Sequence, residues 1–270
     1  MDEMHLKKAK LEASLRALGR VAVAFSSGVD STFLLAVARD VLGDGALAVT
    51  ARSSAFPERE AEEAAAFCAS RGIRQLFVDT DPLSVPGFRE NPPERCYICK
   101  KYIFSRMIGA AAELGFGQVA EGSNVDDVGD YRPGLAAIAE LGVLSPLRAA
   151  GLRKAEIREL SRELGLPTWD KPSYACLATR FVYGETITAE KLRMVELAER
   201  RLLDLGLRQV RVRVHGDVAR IEVLPEDFAR LAEPETAASL NAFLRGLGFG
   251  YAALDLGGYV TGSMNRTLET

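Results

Sequence analysis

The sequence predicts an α/β fold, in which a Rossmann-like parallel sheet domain is followed by a smaller α+β domain. Two observations carry this prediction. Between residues 20 and 122, short apolar runs alternate with amphipathic helical segments, which is typical of a parallel sheet covered by helices. Beyond an aperiodic segment at 168–188, two runs alternate in polarity around Gly216-Asp217, which indicates a β-hairpin. We therefore expect two domains, residues 1–170 and 171–270.

Each element is predicted from its period and its boundary residues. Apolar runs of strand length predict strands at 20–26, 46–52, 73–79 and 116–122. Helical apolar spacing that ends at glycine predicts helices at 31–43, 57–72, 101–115, 151–167 and 188–206. In the second domain we expect hairpin strands at 208–216 and 218–225, a helix at 234–248 and a strand at 251–260.

Composition restricts the classes of function. The formal net charge of -3 provides no overall basic field for nucleic acid, so we expect no nucleic-acid partner. Two histidines exclude a histidine-rich metal site. No apolar stretch approaches membrane-spanning length, and the charged N-terminus lacks the apolar core of a signal peptide. We therefore expect a cytoplasmic protein without a membrane partner.

A polar turn interrupts the first strand–helix unit, in the sequence AFSSGVDST at 24–32. Backbone N–H groups at a helix start, together with serine hydroxyls, form a cradle for phosphate. The alternative is an ordinary turn with a Ser/Asp cap, but the strand before and the helix after favour the cradle. The turn resembles the PP-loop, S-G-G-x-D-S, of ATP pyrophosphatases, although Ser27 replaces its first glycine and a positive φ there would disfavour serine. We expect ATP to contact Ser26, Ser27, Gly28, Val29, Asp30 and Ser31.

Four longer segments narrow the resemblance. They are NPPERCYICKKYIF at 91–104, EGSNVDDVGDYRPG at 121–134, the stretch from GVLSPLR to YGETIT at 142–188, and RQVRVRVHGDVARIEV at 208–223. Together they resemble the LarE family of ATP-dependent sulfur transferases, which help to build the nickel-pincer nucleotide of lactate racemase. The resemblance extends from about residue 6 to the C-terminus, and its motifs are long and ordered.

The resemblance implies a fold, a substrate and a reaction. The fold is that of adenine nucleotide alpha hydrolases, and the substrate is a pyridinium mononucleotide with carboxylates. ATP adenylates one carboxylate and thereby supplies a leaving group. A sulfur nucleophile then displaces AMP to give a thiocarboxylate, and the second carboxylate follows. In the family Asp30 helps to hold Mg²⁺, and members form oligomers, so we expect a homo-oligomer.

The cysteines suggest two routes for sulfur. Family members of one type use the cysteine at position 176 as the donor itself, which leaves dehydroalanine. Cys96 and Cys99 form a C-x-x-C, and with Cys176 they supply three thiolates, which suit a [4Fe-4S] cluster with one open iron. We favour the cluster over the sacrificial route, and zinc is a further alternative. Cys68 lies among alanines, and we expect it in the core.

The remaining candidate residues lie in loops and on one strand. Ser123, Asn124 and Asp127 follow the fourth expected strand, so we expect contacts with adenine, ribose or Mg²⁺; helix capping is the alternative. Asp126, Asp130, Tyr131 and Arg132 continue that loop. We expect the substrate to be bound by Arg95, Tyr97, Lys100, Arg180, Arg211 and Arg213, of which Arg180 also assists Cys176.

The last two arginines alternate on one strand and suit a phosphate, with Glu222 orienting them. The alternative is a solvated strand face.

Three other functions fit part of the sequence. A PP-loop tRNA thiolase shares the cysteines but needs a broad basic surface or an RNA-binding module. An ammonia-dependent synthase leaves the cysteines unexplained. An ATP-binding sensor needs neither Cys176 nor the arginines.

Overall fold

The computed structural model of the chain describes residues 2–127, 133–172 and 175–264. These residues divide into two compact units. The first comprises Met1–Pro82 and Cys96–Tyr174, and the second comprises Leu83–Arg95 and Ala175–Thr270. The short segment before residue 96 therefore belongs to the second unit, although it lies between elements of the first. The sequence pattern gives no sign of this excursion.

The first unit is built on a parallel sheet with the order β3-β2-β1-β4. Parallel pairing sets Val23 of the central strand beside Ala48 on one side and Ala120 on the other. The central strands are apolar throughout because helices cover both faces. The predicted α/β fold class is confirmed. The strands are β1 (Val21–Ala24), β2 (Ala46–Arg52), β3 (Arg74–Asp79) and β4 (Val119–Ala120).

Seven helices are described in this unit: α1 (Glu3–Leu18), α2 (Val29–Leu42), α3 (Glu58–Ser70), α4 (Arg95–Glu113), α5 (Pro133–Glu140), α6 (Pro146–Ala150) and α7 (Lys154–Glu163). Helix α2 is apolar on nearly every side because it packs against the sheet and against α1 and α7. Cys68 is part of the same core, as predicted, and burial raises the pKa of its thiol to about 12.

Helix α4 begins six residues earlier than the sequence predicts, at Arg95 instead of residue 101. Its buried positions recur every four residues, at Cys99, Ile103, Met107 and Ala111, so the helical period already includes the C-x-x-C. The expected long loop at 80–99 is therefore shorter, and both of its cysteines lie on the first turns of a helix.

The second unit contains a three-stranded sheet with the order β5-β6-β7, in which β5 and β6 are antiparallel and β6 and β7 parallel. The predicted hairpin turns at Gly216-Asp217. Helix α8 packs on β5 and α10 packs on β7. The elements are α8 (Ala189–Asp204), β5 (Val210–His215), β6 (Val218–Val223), α9 (Phe228–Ala232), α10 (Pro234–Gly246) and β7 (Tyr251–Leu254). Within the described ranges, no helix is long and apolar enough to cross a bilayer.

The start of α2 is packed too closely for a side chain at residue 122. A Cβ on Gly122 would lie 3.0 Å from the Ser31 nitrogen and 3.2 Å from the carbonyl carbon of Asp30. We expect Gly122→Ala to lower the free energy of unfolding by about 1–3 kcal/mol, because backbone has to move. Urea denaturation followed by circular dichroism measures this change.

The control is Gly109→Ala in the middle of α4, where a Cβ would meet no described atom within 4 Å. Alanine is the better helix former, so this variant gains about 0.5–1 kcal/mol. Equal shifts in the two variants would contradict the close-packing argument.

Candidate active site

Two polar segments meet at the carboxyl edge of the parallel sheet. Strands β1 and β4 are neighbours, whereas the chain passes from β1 through α2 to β2 on the other side. Open α/β sheets bind ligands beyond the carboxyl ends of the strands at such a switch point. The segments after these strands contact each other there, because Asn124 Nδ2 donates to Asp30 Oδ1 at 3.3 Å.

Ser27 adopts the conformation that the PP-loop glycine would take. Its φ is 53°, in the left-handed region that disfavours residues with a Cβ. Its hydroxyl donates to the carbonyl oxygen of Glu60 at 3.2 Å, and the residue is buried. The surrounding contacts therefore hold serine in a backbone state that glycine reaches without cost.

Lys171 is the principal partner of this turn. Its Nζ donates to the Ser27 carbonyl oxygen at 2.9 Å and lies 3.2 Å from Ser27 Oγ. Glu63 accepts a further hydrogen bond from the same ammonium at 2.5 Å. The sequence analysis did not include Lys171 among the site residues, because its partners are more than a hundred positions away in the chain.

The other residues of the turn present backbone groups. Gly28 is the N-cap residue of α2 and has no side chain to cap the helix, so the first N–H groups of α2 face the crevice side of the turn. Val29 is buried in the core, and only its backbone can serve a ligand. Ser26 and Ser31 are linked by their hydroxyls at 3.3 Å, and Ser31 also donates to the Gly28 carbonyl oxygen.

Asp30 lies in the first turn of α2 and already has a cationic partner. Lys154 Nζ, at the start of α7, lies 2.5 Å from Asp30 Oδ2. The ammonium and the carboxylate are both about one-quarter exposed. This arrangement places a mobile positive charge beside the carboxylate that the sequence assigns to Mg²⁺. Sequence reasoning missed Lys154, because the pair spans 124 positions.

The segment after β4 is ordered by carboxylates. Glu121 accepts from the backbone N and the hydroxyl of Ser123 at 2.9 and 2.7 Å, and from Ser145 at 2.5 Å. Asp127 Oδ2 accepts from the Asn124 backbone N at 2.8 Å. Ser123 and Asn124 are both buried, so this segment forms a fixed wall beside Asp30.

The C-x-x-C lies on one face of α4, since its cysteines are three residues apart. Cys99 is buried and Cys96 half-buried. Tyr97 of the same turn donates its hydroxyl to Glu140 Oε2 at 2.8 Å and accepts from Lys101 Nζ at 2.8 Å. Lys100 lies beneath α5, since a Cβ on Gly134 would come within 2.7 Å of its Cδ. The hydroxyl of Tyr97 is thus engaged by neighbouring side chains.

In the second unit, Arg180 is fully buried. Its guanidinium pairs with Glu199 through Nε and Nη2, both at 2.8 Å. A side chain in this position supports the fold around Cys176, which differs from the substrate contact that the sequence analysis expects. Cys176 itself is half-buried and immediately precedes the 3-10 helix Leu177–Arg180.

Arg211 and Arg213 lie on β5, and both are buried. Arg213 pairs with Glu222 at 2.9 Å and donates to the carbonyl oxygen of Thr179 at 3.0 Å. Burial and the nearby charge of Arg180 lower the pKa of Arg211 to about 10, although Glu199 opposes the shift. The alternative of a solvated strand face is wrong, because both faces of β5 are covered.

Arg95 is buried in the second unit, where its guanidinium donates to Asn91 Oδ1 and lies 5.7 Å from the centre of the Tyr183 ring. Asn91 in turn donates to the carbonyl oxygen of Val182 at 2.6 Å. These contacts fasten the 83–95 segment to the chain beyond Cys176. Asp130, Tyr131 and Arg132 lie outside the described residues.

The described residues fit Mg²⁺ better than an iron–sulfur cluster. Mg²⁺ is commonly held by one or two carboxylates together with substrate phosphates, and Asp30 supplies such a group. Among residues 2–127, 133–172 and 175–264, no three histidine, cysteine, aspartate or glutamate side chains group as metal ligands. Cys96 and Cys99 form a pair in the first unit, whereas Cys176 belongs to the second. The three-thiolate site is therefore not formed by the described residues.

The parallel sheet, the phosphate-cradle turn and the carboxylate at the start of α2 define a nucleotide-binding α/β enzyme of the PP-loop class. No protein-family model matches the chain. The chain is 42% identical to the pyridinium-3,5-bisthiocarboxylic acid mononucleotide synthase of Lactiplantibacillus plantarum, over 99% of this chain and 97% of that protein. It is 43% identical to an uncharacterised protein of Synechocystis sp., over 93% of this chain and 94% of that protein.

More distantly, the chain is 30% identical to a glutamine-hydrolysing GMP synthase polypeptide of Thermoplasma acidophilum, over 74% of this chain and 68% of that protein. The chain belongs to the LarE family of ATP-dependent sulfur transferases, within the PP-loop superfamily. The family resemblance in the sequence is thereby confirmed.

The positive φ of Ser27 generates a test of the PP-loop turn. Ser27→Gly satisfies the backbone conformation and keeps the N–H groups in place, so we expect ATP affinity within about threefold of wild type. Ser27→Val places a β-branched residue at positive φ and lowers the free energy of unfolding by about 1–3 kcal/mol. Calorimetric titration with ATP and urea denaturation measure both effects.

Ser105→Val serves as the control, since Ser105 is exposed in α4 with ordinary helical backbone. If Ser27→Gly abolished ATP binding as fully as Ser27→Val, the conformational argument would fail.

Proposed function

We propose that the chain adenylates the carboxylates of a pyridinium-3,5-dicarboxylic acid mononucleotide with ATP and converts them to thiocarboxylates. The observation that carries this proposal is the PP-loop turn at the switch point, combined with near full-length similarity to a synthase named for the bisthiocarboxylic acid product. The reaction belongs to nickel-pincer nucleotide synthesis. We propose that it takes place in the cytoplasm, in a homo-oligomer.

In this proposal the start of α2 binds the phosphates of ATP. The N–H groups after Gly28 supply partial positive charge without a counter-ion. Asp30 and Asn124 lie 3.3 Å apart and hold the metal side of the site, where bound Mg²⁺ neutralises charge on the leaving pyrophosphate. Lys154 leaves Asp30 as the metal arrives, and its ammonium then lies within reach of the phosphates.

We assign the phosphate of the mononucleotide to the arginines of β5. Arg211 is buried beside Arg180, and its lowered pKa expresses the mutual repulsion of these cations together with their loss of hydration. A dianionic phosphate at this point would relieve both penalties. Glu222 fixes Arg213 in orientation through two hydrogen bonds, at 3.1 and 2.9 Å.

Cys176 is the residue at which we place sulfur transfer. It is partly accessible, whereas Cys68 and Cys99 are buried, and a thiolate needs access to attack an acyl-adenylate. Attack forms a thioester bond and expels AMP. In the sacrificial route, cleavage of the Cβ–S bond then leaves the thiocarboxylate on the product and dehydroalanine at position 176. The cluster route, with Cys96, Cys99 and Cys176 as ligands, is the alternative that experiment has to separate.

The substrate assignment predicts a selective binding defect. Arg211→Gln removes one buried cation, so we expect affinity for the mononucleotide to fall at least about tenfold, the scale of one charge-assisted hydrogen bond. ATP affinity stays unchanged, because the PP-loop turn belongs to the other unit. Calorimetric titration of each ligand separates the two effects.

Arg208→Gln is the matched control, since Arg208 is exposed just before β5. Equal loss of ATP and mononucleotide binding in Arg211→Gln would remove the phosphate from this strand.

The sulfur route predicts a change in mass or an iron content. Protein purified without oxygen is weighed intact before and after reaction with ATP, Mg²⁺ and the mononucleotide. Loss of one H₂S equivalent from Cys176 without iron establishes the sacrificial route. Unchanged mass with about four irons per chain, the content of one cubane cluster, establishes the cluster route. Product formation in Cys176→Ala would contradict both.

A further inference from the structure

A buried carboxylate lies behind the Cys176 segment. Glu199, on α8, is 6% exposed. Its Oε1 accepts from Arg180 Nε at 2.8 Å and from the Val212 backbone N at 2.9 Å, and its Oε2 accepts from Arg180 Nη2 at 2.8 Å. One side chain therefore joins a helix, the middle of β5 and an arginine.

The remaining nitrogen of the same arginine holds the backbone around the cysteine. Arg180 Nη1 donates to the carbonyl oxygens of Ala175 and Cys176 at 2.8 and 3.1 Å, and lies 2.8 Å from Thr179 Oγ1. Because a guanidinium is planar, fixing Nε and Nη2 on a carboxylate also fixes the direction in which Nη1 points. The position of residues 175 and 176 thus depends on a carboxylate that does not touch them.

We propose that Glu199 is a positioning residue for Cys176: its carboxylate orients Arg180, and Arg180 holds the backbone on both sides of the sulfur-bearing residue. The inference rests on the proposed role of Cys176, but it concerns a residue that does not touch substrate. It also explains why Arg180 is fully buried, a position unsuited to binding a mononucleotide.

The charge of Glu199 is required as well as its shape. Burial would raise the pKa of this carboxyl, but the charge and hydrogen bonds of Arg180 hold the pKa below its ordinary value. Arg211 contributes to the same effect, and the Val212 N–H adds to it. The ionised carboxylate therefore persists, and an amide in its place could accept only one of the two arginine hydrogen bonds.

The test is Glu199→Gln in the full-length protein. The Cys176 segment loses its fixed position, so we expect iodoacetamide to alkylate the half-buried Cys176 about tenfold faster, the factor of one charge-assisted hydrogen bond. The rate of thiocarboxylate formation falls by a similar factor, while the KM for ATP is unchanged. Peptide mass spectrometry after timed alkylation reads each cysteine separately.

Two internal standards separate positioning from loss of stability. Cys68 and Cys99 are buried in the first unit, and their alkylation rates stay at wild-type values if the effect is local. Glu196→Gln on the same helix removes a carboxylate that pairs with Arg193, more than half exposed, and leaves all rates unchanged.

An unchanged alkylation rate of Cys176 would overturn the proposal, and so would faster alkylation of all cysteines together. If Glu199→Gln does not fold, Arg180→Lys keeps the charge but cannot bridge carboxylate and carbonyls at once, and the same local increase at Cys176 is expected. Faster alkylation of Cys176 with undiminished product formation supports the positioning role and instead refutes Cys176 as the site of sulfur transfer.

Discussion

The first unit depends on the requirement that α2 starts within a few residues of the end of β1. A helix that starts so soon needs one residue in the left-handed region, and Ser27 occupies it with a φ of 53°. It also needs a neighbour without a side chain, and Gly122 at the end of β4 meets this need. The first N–H groups of α2 are then fixed beside two strand ends, which is the geometry that binds phosphate.

Strain at Ser27 is retained because other parts of the chain compensate for it. Lys171 and the carbonyl oxygen of Glu60 contact the serine from two different segments. Backbone strain of this kind is found mainly where function requires a particular shape. The second unit is organised in the same manner by buried ion pairs. Such pairs add little net stability, but they specify one arrangement of their segments.

Much of the architecture could be predicted from the sequence, because it is encoded in local period. Strand β2 has the predicted bounds, and the hairpin turns at the predicted pair of residues. The start of α4 could not be recognised, because a cysteine every third or fourth position fits both a helix face and a ligand loop. The 83–95 segment has no periodic signal at all, and only its long-range partners, such as Val182, assign it to the second unit.

The site was predictable in its residue types but not in its partners. The PP-loop turn, Asn124 and the arginines stand out by composition, whereas Lys154, Lys171 and Glu199 are ordinary charges on helices or in turns. Their importance arises from contacts over 124, 144 and 19 positions. Burial of Arg180 was equally hidden, because an alternating strand or a short turn does not indicate which of its charges the fold encloses.

The two units offer different chemistry to phosphate, and the proposed reaction gives this difference a reason. Pyrophosphate must leave after each adenylation, and neutral backbone N–H groups with an exchangeable metal bind it without holding a permanent counter-charge. The phosphate of the mononucleotide has to remain bound while both carboxylates react in turn. Buried guanidiniums suit that task, because their attraction to a dianion is little screened and Glu222 keeps Arg213 oriented between rounds. A transient anion at a helix start and a retained anion at arginines are thus two solutions to two different residence times.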